Sequence, residues 1–265
     1  MPKFCANLTM LYNEHGFLDR FAAARADGFA GVEFMFPYAF PKEQLADALH
    51  QNGLTQVLHN LPAGNWEGGE RGIACLPDRV GEFQDGVGRA IEYAQALGCP
   101  QVNCLAGLTP QGVDSDRVRQ SIVENVRFAA GRLADAGIRL LVEPVNSKDI
   151  PGFHLDRVEK AVVILDEVGS PNAFLQFDFY HQQRMDGELL ATYGRLKDRI
   201  AHVQIADNPG RNEPGTGEIH YPFLFEALDH EGYEGWIGCE YKPKAATSAG
   251  LGWAADYLRL TVSAN

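Results

Sequence analysis

Four apolar runs in the second half of the chain each end on a side chain carrying a hard oxygen, and this pattern constrains the fold most. The stretch Arg139 to Asn146 reads Arg-Leu-Leu-Val-Glu-Pro-Val-Asn: apolar residues lead to Glu143, and Pro144 stops regular pairing. The same order recurs at Phe174 to Asp178, Ile200 to Gln204 and Trp236 to Glu240. Spacings of 35, 26 and 36 residues between Glu143, Asp178, Gln204 and Glu240 leave room for one helix and two loops between parallel strands. Four consecutive parallel strands would carry these residues to one end of one sheet.

The first half supplies matching units. Strands are expected at Phe4 to Leu8, Gly31 to Phe34 (carrying Glu33), Leu54 to His59 and Val102 to Leu105. Helices are expected around Phe17, Phe21 and Ala24, over Lys42 to Asn52, and from Asp78 to Leu97, where Val80, Phe83, Val87, Ile91 and Ala94 step by three and four. Another, capped by Asp114 or Ser115, carries Val118, Ile122, Val126, Ala129 and Leu133. Later helices fall near Leu155 to Val168, Gly187 to Leu196, Pro222 to His230 and Ala245 to Leu260. Eight strands alternating with eight helices in 265 residues predict a single α/β domain, a closed (β/α)8 TIM barrel over residues 1–265. An open doubly wound sheet is the alternative, but no Gly-x-Gly-x-x-Gly follows the first strand. The segment Leu61 to Pro77, rich in Gly and Pro around Trp66, is too long for an ordinary connection and is expected to act as a lid.

A net charge of −12 argues against nucleic acid or an anionic membrane surface as a partner. Five cysteines without Cys-x-x-Cys spacing read as reduced, buried small hydrophobes. No signal peptide or membrane-length apolar run is evident, so the cytoplasm is the expected compartment. The oligomeric state stays open, a homo-oligomer included.

In a (β/α)8 barrel the C-terminal strand ends face the active-site mouth. A lone acid there is ordinarily a helix cap or salt-bridge partner, whereas four oxygen-bearing residues in register suggest shared ligands. Glu143, Asp178, Gln204 and Glu240 offer only oxygen, which favours Mg²⁺ or Mn²⁺ over thiolate-bound zinc. Glu143 and Glu240 would face each other across the ion. His59, His181 and His202 lie at or near strand ends, where histidine serves as ligand, base or substrate contact. His202 shares a strand face with Gln204, and reads either as a support for the ligands or as a satisfied core residue.

Several segments carry a family likeness: Ala6-Asn7-Leu8, Val32-Glu33-Phe34-Met35-Phe36-Pro37-Tyr38, His59-Asn60-Leu61-Pro62-Ala63-Gly64, Gly69-Glu70-Arg71-Gly72, His202-Val203-Gln204-Ile205-Ala206-Asp207, Glu213-Pro214-Gly215-Thr216-Gly217-Glu218-Ile219 and Gly238-Cys239-Glu240-Tyr241-Lys242-Pro243. Together they resemble the hydroxypyruvate isomerase family of the xylose isomerase-like barrels. The resemblance implies metal-assisted interconversion of hydroxypyruvate and tartronate semialdehyde, with Glu143 and Glu240 as the proton-transfer pair. It also matches Glu143, Asp178, Gln204 and Glu240 to the superfamily's metal ligands, with Gln204 standing where many relatives have His.

Such a reaction passes through an enediolate, and the metal would stabilise charge developing on oxygen. A small anionic hydroxy or oxo acid needs a cation, for which Arg71 and Lys242 are the candidates, Arg offering the bidentate fork. His59 and His181 are further expected substrate contacts. A 2-oxo-tetronate isomerase and a ketose 3-epimerase are the nearest alternatives, and a direct hydride shift is the competing route. A DNA phosphodiesterase of the same barrel class is disfavoured by charge, and a non-catalytic sugar-acid binder by the intact glutamate pair.

Overall fold

In a computed structural model of the protein, which describes residues 2–258, eight parallel strands close into one barrel in sequence order. The strands are β1 (Lys3–Asn7), β2 (Gly31–Glu33), β3 (Thr55–Asn60), β4 (Gln101–Cys104), β5 (Arg139–Val142), β6 (Ala173–Asp178), β7 (Ile200–Ile205) and β8 (Trp236–Cys239). Around them run α1 (Asp19–Ala26), α2 (Lys42–Asn52), α3 (Val80–Leu97), α4 (Ser115–Asp135), α5 (Val158–Val168), α6 (Phe179–Met185), α7 (Leu189–Leu196) and α8 (Tyr221–His230). The helices form where apolar residues recur at helical spacing. In α4 the stripe Val118, Ile122, Val126, Ala129 and Leu133 is buried, and Asp114 caps the first turn by accepting from the N–H groups of Asp116 and Arg117.

Two cores result. The larger lies between strands and helices, while inside the lower barrel a separate plug of Cys5, Val57, Leu58 and Leu141 packs with Phe174, Ala201 and Trp236. That plug makes the barrel a packed body closed at one end, so chemistry is confined to the other.

Register decides which residues meet at the open end. Asp178 pairs with Gln204 and Gln204 with Gly238, whereas Val142 pairs with Leu175. Glu143, Asp178, Gln204 and Glu240 therefore climb the stagger of a tilted barrel, two residues at some strand steps and none at others. Because side chains alternate along a strand, Gln176 and Asp178 share the inner face, as do His202 with Gln204 and Gly238 with Glu240.

The expected fold holds, with local differences. A further helix, α6, starts directly after β6, because Asp178 caps it by accepting from the N–H groups of Tyr180 and His181. The expected final helix over Ala245 to Leu260 is instead a 3-10 helix at Thr247–Ala254, continued helically to residue 258, and Leu260 lies outside the described residues. The segment Leu61 to Pro77 is anchored as well as long: Gly72 bridges Ala106, the Cys75 N–H donates to the Ala106 carbonyl at 2.9 Å, and Asn125 Nδ2 donates to the Ala74 carbonyl at 2.9 Å. At its tip Glu70 accepts from the Asn65 N–H and pairs with Arg79. All five cysteines are free and buried.

Gly72 makes this anchorage feasible. Its φ is +112°, and a Cβ there would stand 2.2 Å from the Leu105 carbonyl oxygen and 2.8 Å from the Gly107 nitrogen, both backbone atoms. Gly72→Ala should destabilise the protein by at least the ~1–3 kcal/mol of a strained backbone residue. Gly131 lies in an open stretch of α4, and Gly131→Ala should do the opposite, raising stability by ~0.5–1 kcal/mol. Urea midpoints of the two variants check this, and equal midpoints would contradict it.

Candidate active site

Strand ends β5 to β8 bring three carboxylates into one buried group at the barrel mouth. Glu143, Asp178 and Glu240 are all buried, although nothing in an apolar interior favours gathering like charges. Glu143 Oε2 accepts from Asn103 Nδ2 at 2.8 Å, and Asn103 in turn donates to Asn60 Oδ1 at 3.3 Å. One Asp178 oxygen caps α6, while its Oδ2 is buried without a hydrogen-bond partner. Burial raises all three carboxyls above their usual range. Asp178 rises to about 6, and Glu240 to about 8 under burial and the negative charges of Asp178 and Glu33, against the opposing Arg211. Glu143 is raised too, through burial, Glu240 and Asp178.

The cation facing them is Arg211. Its Nη2 donates to Glu240 Oε1 at 2.7 Å, its guanidinium lies 5.3 Å from the Tyr180 ring, and its Nη1 stands 4.0 Å from Asp149 Oδ2. The backbone there is left-handed (φ +53°), unfavourable for a non-glycine residue. Neighbouring contacts hold it: the Lys242 N–H donates to the Arg211 carbonyl at 2.7 Å, and the Asp207 N–H donates to the Asn212 carbonyl at 2.8 Å. Asp207 also organises the loop beyond, its carboxylate accepting from the N–H groups of Gly215, Gly217 and Ile219.

His181 has a defined tautomer. Asn146 Oδ1 accepts from the N–H groups of Lys148 and Asp149, so its Nδ2 must be the atom that donates to His181 Nδ1 at 2.6 Å. The neutral ring then carries its proton on Nε2, which lies 3.6 Å from Asp178 Oδ2 and 3.9 Å from Glu143 Oε1. Burial, with Arg211 and Arg184 nearby, holds the pKa of His181 well below the histidine norm. His181 is therefore a neutral donor pointing at the carboxylates.

A pocket with about 450 Å³ of empty space joins these groups to the anchored loop, taking in Trp66, Arg71, Glu143, His181, Arg211 and Glu240. Arg71 stacks over Trp66 at 4.3 Å, and its Nη1 donates to the carbonyls of Trp66 (2.9 Å) and Glu70 (2.7 Å). Among the described residues no carboxylate lies within ion-pair distance of it.

Below the mouth sits a fourth buried acid, Glu33. Oε1 accepts from Asn7 Nδ2 (3.0 Å) and Gln204 Nε2 (2.7 Å), and Oε2 from Cys5 Sγ (3.4 Å) and His202 Nε2 (2.7 Å). Burial alone would raise its pKa, yet His202 and the amide donors hold it below the usual carboxylate value. Cys5, Glu33 and His202 lie close enough to share an ion. Four donors already fill the acceptor capacity of Glu33, so this group is a closed hydrogen-bonded cluster and not a cation site.

Of the residues expected from sequence, Glu143, Asp178, Glu240, His181 and Arg71 meet at the mouth, and Gln204 lies just below. His202 sits deeper, on Glu33. His59 does not reach the mouth: its ring lies in the layer between strand and helix, 6.2 Å from the Tyr38 ring and beside the Ala90 backbone, and burial lowers its pKa to about 4. Lys242 is exposed and contributes its backbone, so the cation beside Glu240 is Arg211. Arg211 went unnoticed in the sequence although it is the sole Lys or Arg between β7 and α8.

Comparison with known proteins agrees with the barrel fold. A family model described as xylose isomerase-like TIM barrel matches residues 21–258. The chain is 53% identical to hydroxypyruvate isomerase of Escherichia coli K12, covering 97% of this chain and 100% of that protein. It is 50% identical to 2-oxo-tetronate isomerase of Cupriavidus necator, covering 97% and 99%. A crystal structure from Brucella melitensis, described as AP endonuclease, family 2, superposes with a TM-score of 0.95 at 45% identity, covering 97% and 99%.

The raised carboxyls have a measurable consequence. A group whose pKa rises on folding lends stability that is present at low pH and lost as pH climbs through the folded value, about 6 for Asp178 and about 8 for Glu240. The depressed histidines act oppositely, but their effect is complete once pH exceeds ~6.5, the unfolded value. The melting temperature of chelator-treated protein should therefore fall from pH ~6.5 to ~8.5. A rise over that interval would contradict the assignment.

Proposed function

Because the chain belongs to the xylose isomerase-like TIM barrel family, in the group that holds hydroxypyruvate and 2-oxo-tetronate isomerases, it is an isomerase, and we propose that it interconverts hydroxypyruvate and tartronate semialdehyde by proton transfer. The observation that carries this reading is the pair of buried glutamates, Glu143 and Glu240, lining one small pocket with cationic Arg71 and Arg211. One glutamate takes the proton from C3 of hydroxypyruvate, leaving an enediolate across C2 and C3. The other returns a proton to C2, while the hydroxyl proton passes from the C3 oxygen to the C2 oxygen. The Nε2–H of neutral His181 is placed to donate to a substrate oxygen. A carboxyl raised to about 8, as in Glu240, suits a group that must both accept and release a proton near neutrality, and Glu143 is shifted in the same direction.

The donor set fits a hard divalent cation, Mg²⁺ or Mn²⁺: Asp178 Oδ2 is buried and unpartnered, and the carboxylates around it repel one another. Glu143, Asp178, Gln204 and Glu240 would hold it. Bound there, the cation would supply Lewis-acid stabilisation of negative charge on substrate oxygen.

Arg71 is the best-prepared receptor for the substrate carboxylate. Its guanidinium is fixed by stacking and by two backbone carbonyls, while Arg211 is already engaged by Glu240. This mouth suits a small anion. A polyanion such as a DNA backbone would instead meet a chain of net charge −12. The 50% identity to a 2-oxo-tetronate isomerase supports a second reading, the same chemistry on a substrate one carbon longer.

Turnover of hydroxypyruvate, 2-oxo-tetronate and a free ketohexose, assayed side by side, tests the assignment; activity on the ketohexose alone would overturn it. Glu143→Gln and Glu240→Gln, assayed at saturating Mn²⁺, should each lose ~10²- to 10⁴-fold in rate while staying folded. Wild-type turnover in heavy water should place deuterium on the product, and deuterium-free product would point to a hydride shift. Arg71→Lys should raise KM several-fold with little change in kcat; an unchanged KM would reassign the carboxylate to Arg211.

A further inference from the structure

A cation at the mouth has a nitrogen within reach as well as oxygens. One ligand atom from each of Glu143, Asp178 and His181 lies within 4.8 Å of the other two, and all three residues are buried. Ligation by His181 would turn the preference of the site from Mg²⁺ or Mn²⁺ towards softer ions such as Zn²⁺. We propose that Asn146 is a positioning residue that keeps His181 out of the ligand set, by holding a proton on the ring nitrogen that faces the carboxylates. This rests on the reading of the mouth as a divalent cation site.

The nitrogen nearest the carboxylates is Nε2, 3.6 Å from Asp178 Oδ2 and 3.9 Å from Glu143 Oε1. It can ligate only when bare, and in a neutral ring the proton must then sit on Nδ1. A ligating histidine accordingly donates that other N–H to an acceptor, such as a carboxylate or a backbone carbonyl. Nδ1 of His181 meets the reverse. Asn146 Nδ2 lies 2.6 Å from it, and the Asn146 backbone N–H donates to the same nitrogen at 3.4 Å. The backbone donor cannot be turned round. The amide is fixed too, because its Oδ1 accepts from the Lys148 and Asp149 N–H groups and its Nδ2 also donates to Asp149 Oδ2 at 3.1 Å. Moving the proton to Nδ1 would set it against two N–H donors and forfeit both hydrogen bonds.

Asn146 stands three residues past Glu143 on the loop leaving β5, and the Ile150 N–H donates to its carbonyl at 3.1 Å, closing a turn there. The strand end that supplies a carboxylate to the mouth thus also supplies the group that withholds the neighbouring histidine from a cation. Asn146 does this from behind the ring, on the side away from Asp178 and Glu143.

Exchanging two side chains, Asn146→Asp together with Asp149→Asn, tests this. The exchange keeps the net charge and replaces the donor at Nδ1 by a carboxylate oxygen, while Asp149→Asn alone leaves Asn146 in place as the control. Long-range proton–nitrogen NMR of metal-free wild type, with His181 assigned by its loss in His181→Gln, should show Nε2 protonated and Nδ1 bare. A bare Nε2 overturns the proposal. By pulsed electron paramagnetic resonance, Mn²⁺ bound to wild type or to Asp149→Asn should show no coupling to an imidazole nitrogen. The exchanged pair should gain one, lost again when His181→Gln is added. Competition between Zn²⁺ and Mn²⁺ should shift towards Zn²⁺ by at least about tenfold in the exchanged pair, the usual scale for altering a ligand's partner. A merely structural role for Asn146 would lower stability and leave that preference unmoved. Imidazole coupling in wild type, or an unchanged ion preference in the folded exchanged pair, overturns the proposal; if the pair does not fold, the two wild-type measurements decide. Wild-type protein that binds no Mn²⁺ yet keeps its proton on Nε2 would sink the cation reading and the selective role with it. A bare Nε2 in protein that does bind Mn²⁺ would sink the proposal alone.

Discussion

Mutual repulsion among buried carboxylates is the constraint around which this barrel is arranged. Glu143, Asp178 and Glu240 stand at neighbouring strand ends, out of water, where Asp178 raises the proton affinity of both glutamates and Glu240 that of Glu143. Such a group persists only if the surrounding structure over-determines it. Arg211 supplies the opposing charge from a left-handed backbone position held by Lys242 and the Asp207-organised loop. Asn103 and the start of α6 supply hydrogen bonds to Glu143 and Asp178. The energetic disadvantage of the site is thus distributed over β4, α6 and the loop after β7, while the rest of the fold contributes ordinary packing.

Polarity inside the barrel is layered. An apolar plug closes the lower end, and above it Glu33 is solvated entirely by protein donors. Nearer the mouth, Asp178 Oδ2 and Asn103 Oδ1 are buried without partners. A fully bonded carboxylate is a rigid support, whereas unpartnered oxygens retain the capacity to meet a ligand. The two acids differ for that reason, Glu33 falling below and Asp178 rising above its ordinary pKa although both are fully enclosed.

The mouth is also asymmetric. On one side Trp66 and Arg71 form a fixed aromatic and cationic wall, held because the loop is stitched to α4 and to the exit of strand β4 through Asn125 and Ala106. On the other, Arg211 and Tyr180 stack beside Glu240. Length and glycine content alone suggest a mobile lid at Leu61 to Pro77. The close backbone approach at Gly72 anchors one point of this loop beside the exit of β4.

The sequence by itself determined the alternation of strands and helices, the oxygen-bearing strand ends and the net negative charge, because these follow from periodicity, spacing and composition, which are local or additive. Helix ends were less legible. Asp178 reads equally as a strand end and as a cap, and only the folded chain shows it serving as both. Tertiary structure alone decided which strand-end residues point inward and how high, since that depends on barrel stagger. His59 and His181 therefore look alike in sequence yet lie in different layers. It likewise decided that Arg211, not Lys242, faces Glu240, because the direction of a side chain in a long loop is set by backbone hydrogen bonds from distant residues, which no local pattern encodes.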